Sequence, residues 1–161
     1  AAEKGHCAVV KMLLDTSKVD IDSKDKEGRT PLSRTVGGGF SSWAKLIREA
    51  VVKMLLDTGK VDADSKDESG RTPLSWAAEE GCGDIVKMLL DAGNVDIDSK
   101  DEGSRTPLSC AAEKGHWTVV KMLLDAGNVD FDSKDEDGRT PLSWAAEKGH
   151  WTVVKTLLDT G

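Results

Sequence analysis

The chain has 161 residues, 38% of them hydrophobic but with only two Phe and no Tyr; one unit of about 100–150 residues or a short repeat array is expected, and a core built mainly on aromatic packing is excluded. With 22 basic and 29 acidic residues the net charge is −7, which argues against non-specific binding to nucleic acid or an anionic membrane. No stretch approaches the ~20 apolar residues of a membrane span and no signal peptide opens the chain, so a cytoplasmic location is expected, with the nucleus as the second choice.

A fixed period organises everything else. Thr-Pro-Leu-Ser begins at Thr30, Thr72, Thr106 and Thr140, and Val-Val or Ile-Val pairs begin at Val9, Val51, Ile85, Val119 and Val153. Both series step by 34 residues, except for one step of 42. Cutting at the aspartate before each turn divides a single array, 1–161, into a partial repeat 1–24, a repeat 25–66 with eight extra residues, regular repeats 67–100 and 101–134, and a truncated repeat 135–161.

In chain order, Ala1–Gly5 reads as the tail of a first helix, so the array lacks a polar cap at this end. Within 25–66, residues 34–48 replace the seven-residue segment that the other repeats carry. Gly37-Gly38-Gly39 lacks the Gly-Lys-Ser/Thr ending of a phosphate loop and reads as a hinge. After Ser42, a plausible cap, Trp43, Leu46, Ile47, Ala50, Val51, Met54 and Leu55 form an amphipathic stripe. It predicts one long helix from about Ser42 to Asp57, with the preceding helix shortened or lost. A neutral insertion or gene-model error and a protruding binding element are both readings of this segment.

Between repeats, Val95 and Ile97 alternate with Asp96 and Asp98, a pattern that recurs at Val129 and Phe131 and at Val61 and Ala63. It predicts an extended finger or hairpin. Gly103-Ser104 inverts the order of Ser69-Gly70, so a distorted turn is expected there. In the last unit Thr140 caps and Pro141 starts a first helix, Leu142, Ala145 and Ala146 line one face, and Gly149 ends it. A second helix runs from about Trp151 to Asp159, with Gly161 as its stop. Helices this short are marginal alone, so each unit persists by stacking on the next.

Gly-Arg-Thr-Pro-Leu-Ser-Trp-Ala-Ala-Glu-Lys-Gly-His at 138–150, followed by Val153-Val154 and Leu157-Leu158, resembles the ankyrin repeat, in a variant similar to arrays of filamentous fungi. Two departures stand out: Ser33, Ser75, Ser109 and Ser143 replace the usual His, and the period is 34 through an extra residue near Asn94 and Asn128. A serine hydroxyl can cap locally instead. The resemblance implies an all-α repeat solenoid of stacked helix-turn-helix units with short β-hairpin or finger loops. It also implies a non-enzymatic scaffold or adaptor, part of a longer protein, that binds a protein or peptide on a concave face, without cofactor, metal, nucleic acid or membrane. By the same resemblance that face carries the turn residues Lys26, Glu27, Arg29, Glu68, Ser69, Arg71, Glu102, Gly103, Arg105, Glu136, Asp137 and Arg139. The helix residues Glu79, Glu80, Glu113, Lys114, Glu147 and Lys148 flank them. The arginines either grip an extended peptide or form a ladder of mutual salt bridges. A sensor arm of a multidomain NTPase-type signalling protein is the alternative function, and uncapped ends imply self-association.

No catalytic or metal constellation emerges. His6, His116 and His150 share one loop position and form a ladder, not a cluster. Residues 130–135 resemble a calcium loop, but Lys134 takes its fifth position and Pro141 its twelfth. Cys7, Cys82 and Cys110 are far apart without C-x-x-C spacing, so neither disulfides nor zinc are indicated. Cys110 stands where Trp76 and Trp144 stand and is expected to be buried. Trp76, Trp117, Trp144 and Trp151 are expected in inter-repeat packing, with Trp117 and Trp151 the better candidates for exposed binding anchors.

Overall fold

The computed structural model describes residues 1–16, 18–38 and 44–160. Its helices are α1 (Cys7–Asp15), α2 (Pro31–Val36), α3 (Ala44–Leu56), α4 (Pro73–Glu79), α5 (Gly83–Asp91), α6 (Pro107–Lys114), α7 (Trp117–Asp125), α8 (Pro141–Glu147) and α9 (Trp151–Thr160). They stack in two layers, one of α2, α4, α6 and α8 and one of α1, α3, α5, α7 and α9. No strand forms among the described residues, and the connecting segments take the form of extended fingers closed by turns.

Local chemistry starts each first-layer helix. Thr30, Thr72, Thr106 and Thr140 hold extended backbone, and their side chains accept the N–H of Ser33, Ser75, Ser109 and Ser143, with proline opening the helix. Each such cap contributes about 1 kcal/mol. The serines complete the cap as expected: the Ser143 hydroxyl accepts the Thr140 N–H at 2.9 Å, and Thr72 Oγ1 lies 3.1 Å from Ser75 Oγ.

Stacking supplies what these short helices lack. Leu32, Leu74 and Leu108 are fully buried, and Ala77, Ala78, Ala111 and Ala112 leave room for first-layer helices to approach. In the second layer the ends of the array show which side chain faces where. On α1 Val9 is exposed and Val10 buried, whereas on α9 Val153 is buried and Val154 half-buried. The first valine of each pair therefore faces the preceding repeat and the second faces the following one, so only neighbours can complete the core.

Polar ladders keep the fingers in register. The N–H groups of Glu68, Glu102 and Glu136 donate to the carbonyls of Glu27, Ser69 and Gly103 at 3.0, 3.0 and 3.1 Å. Lys24, Lys66 and Lys100 reach the carbonyls of Lys66, Lys100 and Lys134 at 2.7, 2.9 and 3.5 Å. Asp22 accepts the Asp62 N–H, and Asp98 the Asp130 N–H. These contacts join each finger to the next instead of folding a finger back on itself.

Two expectations are corrected. The turn at Gly103-Ser104 is not distorted, because Ser104 itself adopts φ 59°, where Gly28, Gly70 and Gly138 have φ 71°, 72° and 74°. Its N–H donates to Asp101 at 2.9 Å, as Gly70 does to Asp67. In the expanded repeat α2 is shortened as expected and α3 runs over most of the predicted span; Gly39, Ser42, Trp43 and Gly161 lie outside the described residues. Leu46, placed on the apolar stripe, is instead 76% exposed. Ile47 takes the inward position, against Gly5, and the helical step to its neighbour turns Leu46 outward. Gly37 ends α2 where a Cβ would come within 2.9 Å of the Trp76 ring, so glycine here makes room for an indole.

Candidate functional site

The finger tips and the first-layer helices form one strip. Beneath three of the tips lies a buried carboxylate that sequence reasoning missed, and the equivalent Asp25 of the first tip is exposed. Oδ1 of Asp67 accepts the N–H groups of Ser69 and Arg71 at 2.9 and 3.0 Å, and Asp101 and Asp135 repeat the pattern with Gly103 and Arg105 and with Asp137 and Arg139. The second oxygen accepts an indole N–H, from Trp76 to Asp67 at 2.9 Å and from Trp144 to Asp135 at 2.8 Å. Where Cys110 replaces the tryptophan, Arg105 takes that oxygen of Asp101 at 3.2 Å. Where Arg34 replaces it, the guanidinium lies 3.5 Å from Asp25. An aspartate followed nine residues later by tryptophan was the available signal.

The arginines of the strip are engaged within the protein. Arg71 pairs with Glu79 and stacks over Trp76 at 4.0 Å, with Arg29 on the same indole at 5.3 Å. Arg105 reaches Glu113 at 3.4 Å and Arg139 reaches Glu147 at 3.3 Å. Lys114 lies between Glu79 and Glu113 at 3.6 and 3.9 Å, and Lys148 lies 3.6 Å from Glu147. Glu27 pairs with Arg34 at 3.2 Å. Lys26, Ser69, Glu80, Glu68, Glu102, Glu136 and Asp137 point to solvent without an ion-pair partner among the described residues. From Arg71 onward the predicted strip thus carries cations held by internal carboxylates beside unneutralised acidic tips, whereas the first tip carries the unpaired Lys26.

His116 and His150 bind backbone. Nε2 of His116 lies 2.8 Å from the Glu79 carbonyl, and Nε2 of His150 lies 2.9 Å from that of Glu113. Arg48 occupies their position in the expanded repeat and lies 3.2 Å from Cys82 Sγ. Burial pushes the thiols of Cys82 and Cys110 above the ordinary range, in Cys82 against the pull of Arg48, so neither is poised as a nucleophile. Among the described residues no group of His, Cys, Asp or Glu is placed to hold a metal ion, and no helix is long and apolar enough to cross a membrane. Trp76 and Trp144 are half-buried in the strip, while Trp117 and Trp151 are exposed on the other layer.

A family model described as ankyrin repeats (3 copies) matches residues 1–101 and 93–161. Comparison with curated proteins finds no match.

Proposed function

The chain belongs to the ankyrin-repeat family, whose repeats are generally protein–protein interaction modules, and from that premise we propose that it is a non-catalytic scaffold whose finger-tip strip binds a basic segment of a partner protein. The observation that carries this reading is the asymmetry of the strip. Arg71, Arg105 and Arg139 are held by Glu79, Glu113 and Glu147, whereas Glu68, Glu102, Glu136 and Asp137 face solvent unpaired among the described residues. The three tips from Glu68 onward each carry at least one free carboxylate and, tied to one another by backbone hydrogen bonds, present an acidic row with little ordering left to pay on binding. Such a row favours lysine or arginine spaced along an extended segment and disfavours an acidic one.

The test is fluorescence polarisation of a labelled peptide of Lys-Ala repeats. Saturable, salt-sensitive binding that is lost in the double variant Glu102→Lys, Glu136→Lys is the expected result. Binding that this charge reversal leaves unchanged would remove the strip as the site.

A further inference from the structure

One arginine of the strip has lost its internal carboxylate. Arg71, Arg105 and Arg139 pair with Glu79, Glu113 and Glu147, each eight residues on, in or at the end of the following helix. For Arg29 that position is Gly37, which ends α2. A Cβ there would come within 2.9 Å of the Trp76 ring, so the place cannot be refilled from within. The half-buried Arg29 guanidinium is left on Trp76 at 5.3 Å, with no hydrogen-bond or ion-pair partner among the described residues. Asp25, in the same turn, accepts the Arg29 backbone N–H at 2.9 Å, and its carboxylate pairs with Arg34, which also takes Glu3 and Glu27. The exposed Lys26 of this tip has no ion-pair partner among the described residues either. Lys24, Lys66 and Lys100 recur alike from unit to unit, bonded to the next finger's carbonyls, and do not distinguish one unit from another.

The first unit therefore opposes the rest in sign: Arg29 and Lys26 are unneutralised here, and Glu68, Glu102, Glu136 and Asp137 beyond it. Resting on the reading that the strip takes a basic segment, we propose that this segment carries one Asp or Glu, held by Arg29 with the charge of Lys26 in support, and its lysines or arginines over the later tips. The other three units select this occupant. In each of them the equivalent arginine holds a glutamate carboxylate, and a carboxylate from the partner completes the fourth pair in the same pattern. At Glu68, Glu102 or Glu136 the same group meets repulsion, so it fixes which end of the segment lies on which end of the array. The tips step evenly, because the bond from the Glu68 N–H to the Glu27 carbonyl at 3.0 Å recurs at the next two tips at 3.0 and 3.1 Å. Packed helices lie about 8–10 Å apart and three residues of extended chain cover about 10 Å, which places the acid about three residues from the first base.

The probes are four labelled peptides, titrated against the full chain by fluorescence polarisation: Glu-Thr-Ser-Lys-Thr-Ser-Lys-Thr-Ser-Lys, its twin with Gln for Glu, and both in reverse order to cover the two backbone directions. One glutamate peptide is expected to bind about fivefold or more tighter than its glutamine twin. The sign of that difference is diagnostic, because the net charge of −7 by itself favours the more basic twin. Arg29→Met, which keeps an apolar stem on Trp76, should erase the preference while leaving binding of the twin unchanged, with far-UV spectrum and Tm recorded alongside. Twins that bind equally, or glutamine twins that bind tighter, would overturn the proposal on the parent chain alone, whatever the variant does. A preference that survives in folded Arg29→Met would overturn it as well. If all four peptides bind alike and Glu102→Lys with Glu136→Lys abolishes binding, the strip remains the site and only the acid position falls; if none binds saturably, both readings fall together.

Discussion

The imidazole of His116 lies against the backbone of Gly81, one repeat earlier, while its Nε2 meets the Glu79 carbonyl at 2.8 Å. His150 stands in the same relation to Gly115 and Glu113. A residue that would suit metal binding or proton transfer instead closes the interface between repeats, and the glycine beneath it leaves the space the ring occupies.

That relationship separates two glycines with the same backbone. Gly115 and Gly149 have φ 75° and 73°, but a Cβ at Gly115 would lie 2.5 Å from the His150 ring and one at Gly149 would meet nothing within 4 Å. Gly149→Ala is expected to cost about 1 kcal/mol, from backbone conformation alone. Gly115→Ala is expected to cost about 2–4 kcal/mol, because overpacking adds to the same strain. Denaturant unfolding of both variants measures the difference.

Ser104 takes the left-handed conformation that glycine takes in the other three turns. Ser104→Gly should therefore stabilise the chain, by about 0.5–1 kcal/mol, since relief of the side-chain clash outweighs the added freedom of the unfolded chain. An upward shift of the urea midpoint at unchanged slope is the expected readout.

Arg71 and Arg139 are equivalent in sequence but not in surroundings. The Arg71 side chain is 10% exposed, against 40% for Arg139. Arg71→Ala leaves the half-buried Glu79 carboxylate with only Lys114 at 3.6 Å and removes the closer of the two guanidiniums on Trp76, and is expected to cost about 2 kcal/mol. Arg139→Ala removes an exposed pair worth about 0–1 kcal/mol. Thermal unfolding of the two variants side by side tests the contrast.

Asp98 has its carboxyl held above the ordinary range, first by burial and then by the charges of Asp130 and Asp96, against the hydrogen bond from the Asp130 N–H. The folded state thus holds this proton more tightly than the unfolded state. The contribution to stability is present below the ordinary carboxylate value and is lost as pH rises through the raised one. Asp98→Asn, whose amide oxygen can still accept the Asp130 N–H, should melt higher than the parent chain at pH 7. The gain should close as pH is lowered through the carboxylate range, as followed by Tm against pH.

The repeat, the caps and the shortness of the helices were all readable from the sequence because each rests on residues within a few positions of one another. Thr-Pro-Leu-Ser needs only its own first turn to cap and start a helix, and the fixed period follows from comparing the chain with itself. Burial of Cys110 was readable too, from the tryptophans at equivalent positions. The partners of the strip arginines were not. Whether Arg71 is free or held depends on Glu79 eight residues on, on Trp76, and on Asp101 from the next repeat, and local pattern carries no information about which of these comes within reach. The orientation of Leu46 and the exposure of Trp117 were decided in the same way, by which neighbour the stack places beside them. The local sequence determined what each unit is, and the stacking of units decided which of its side chains remain for a partner.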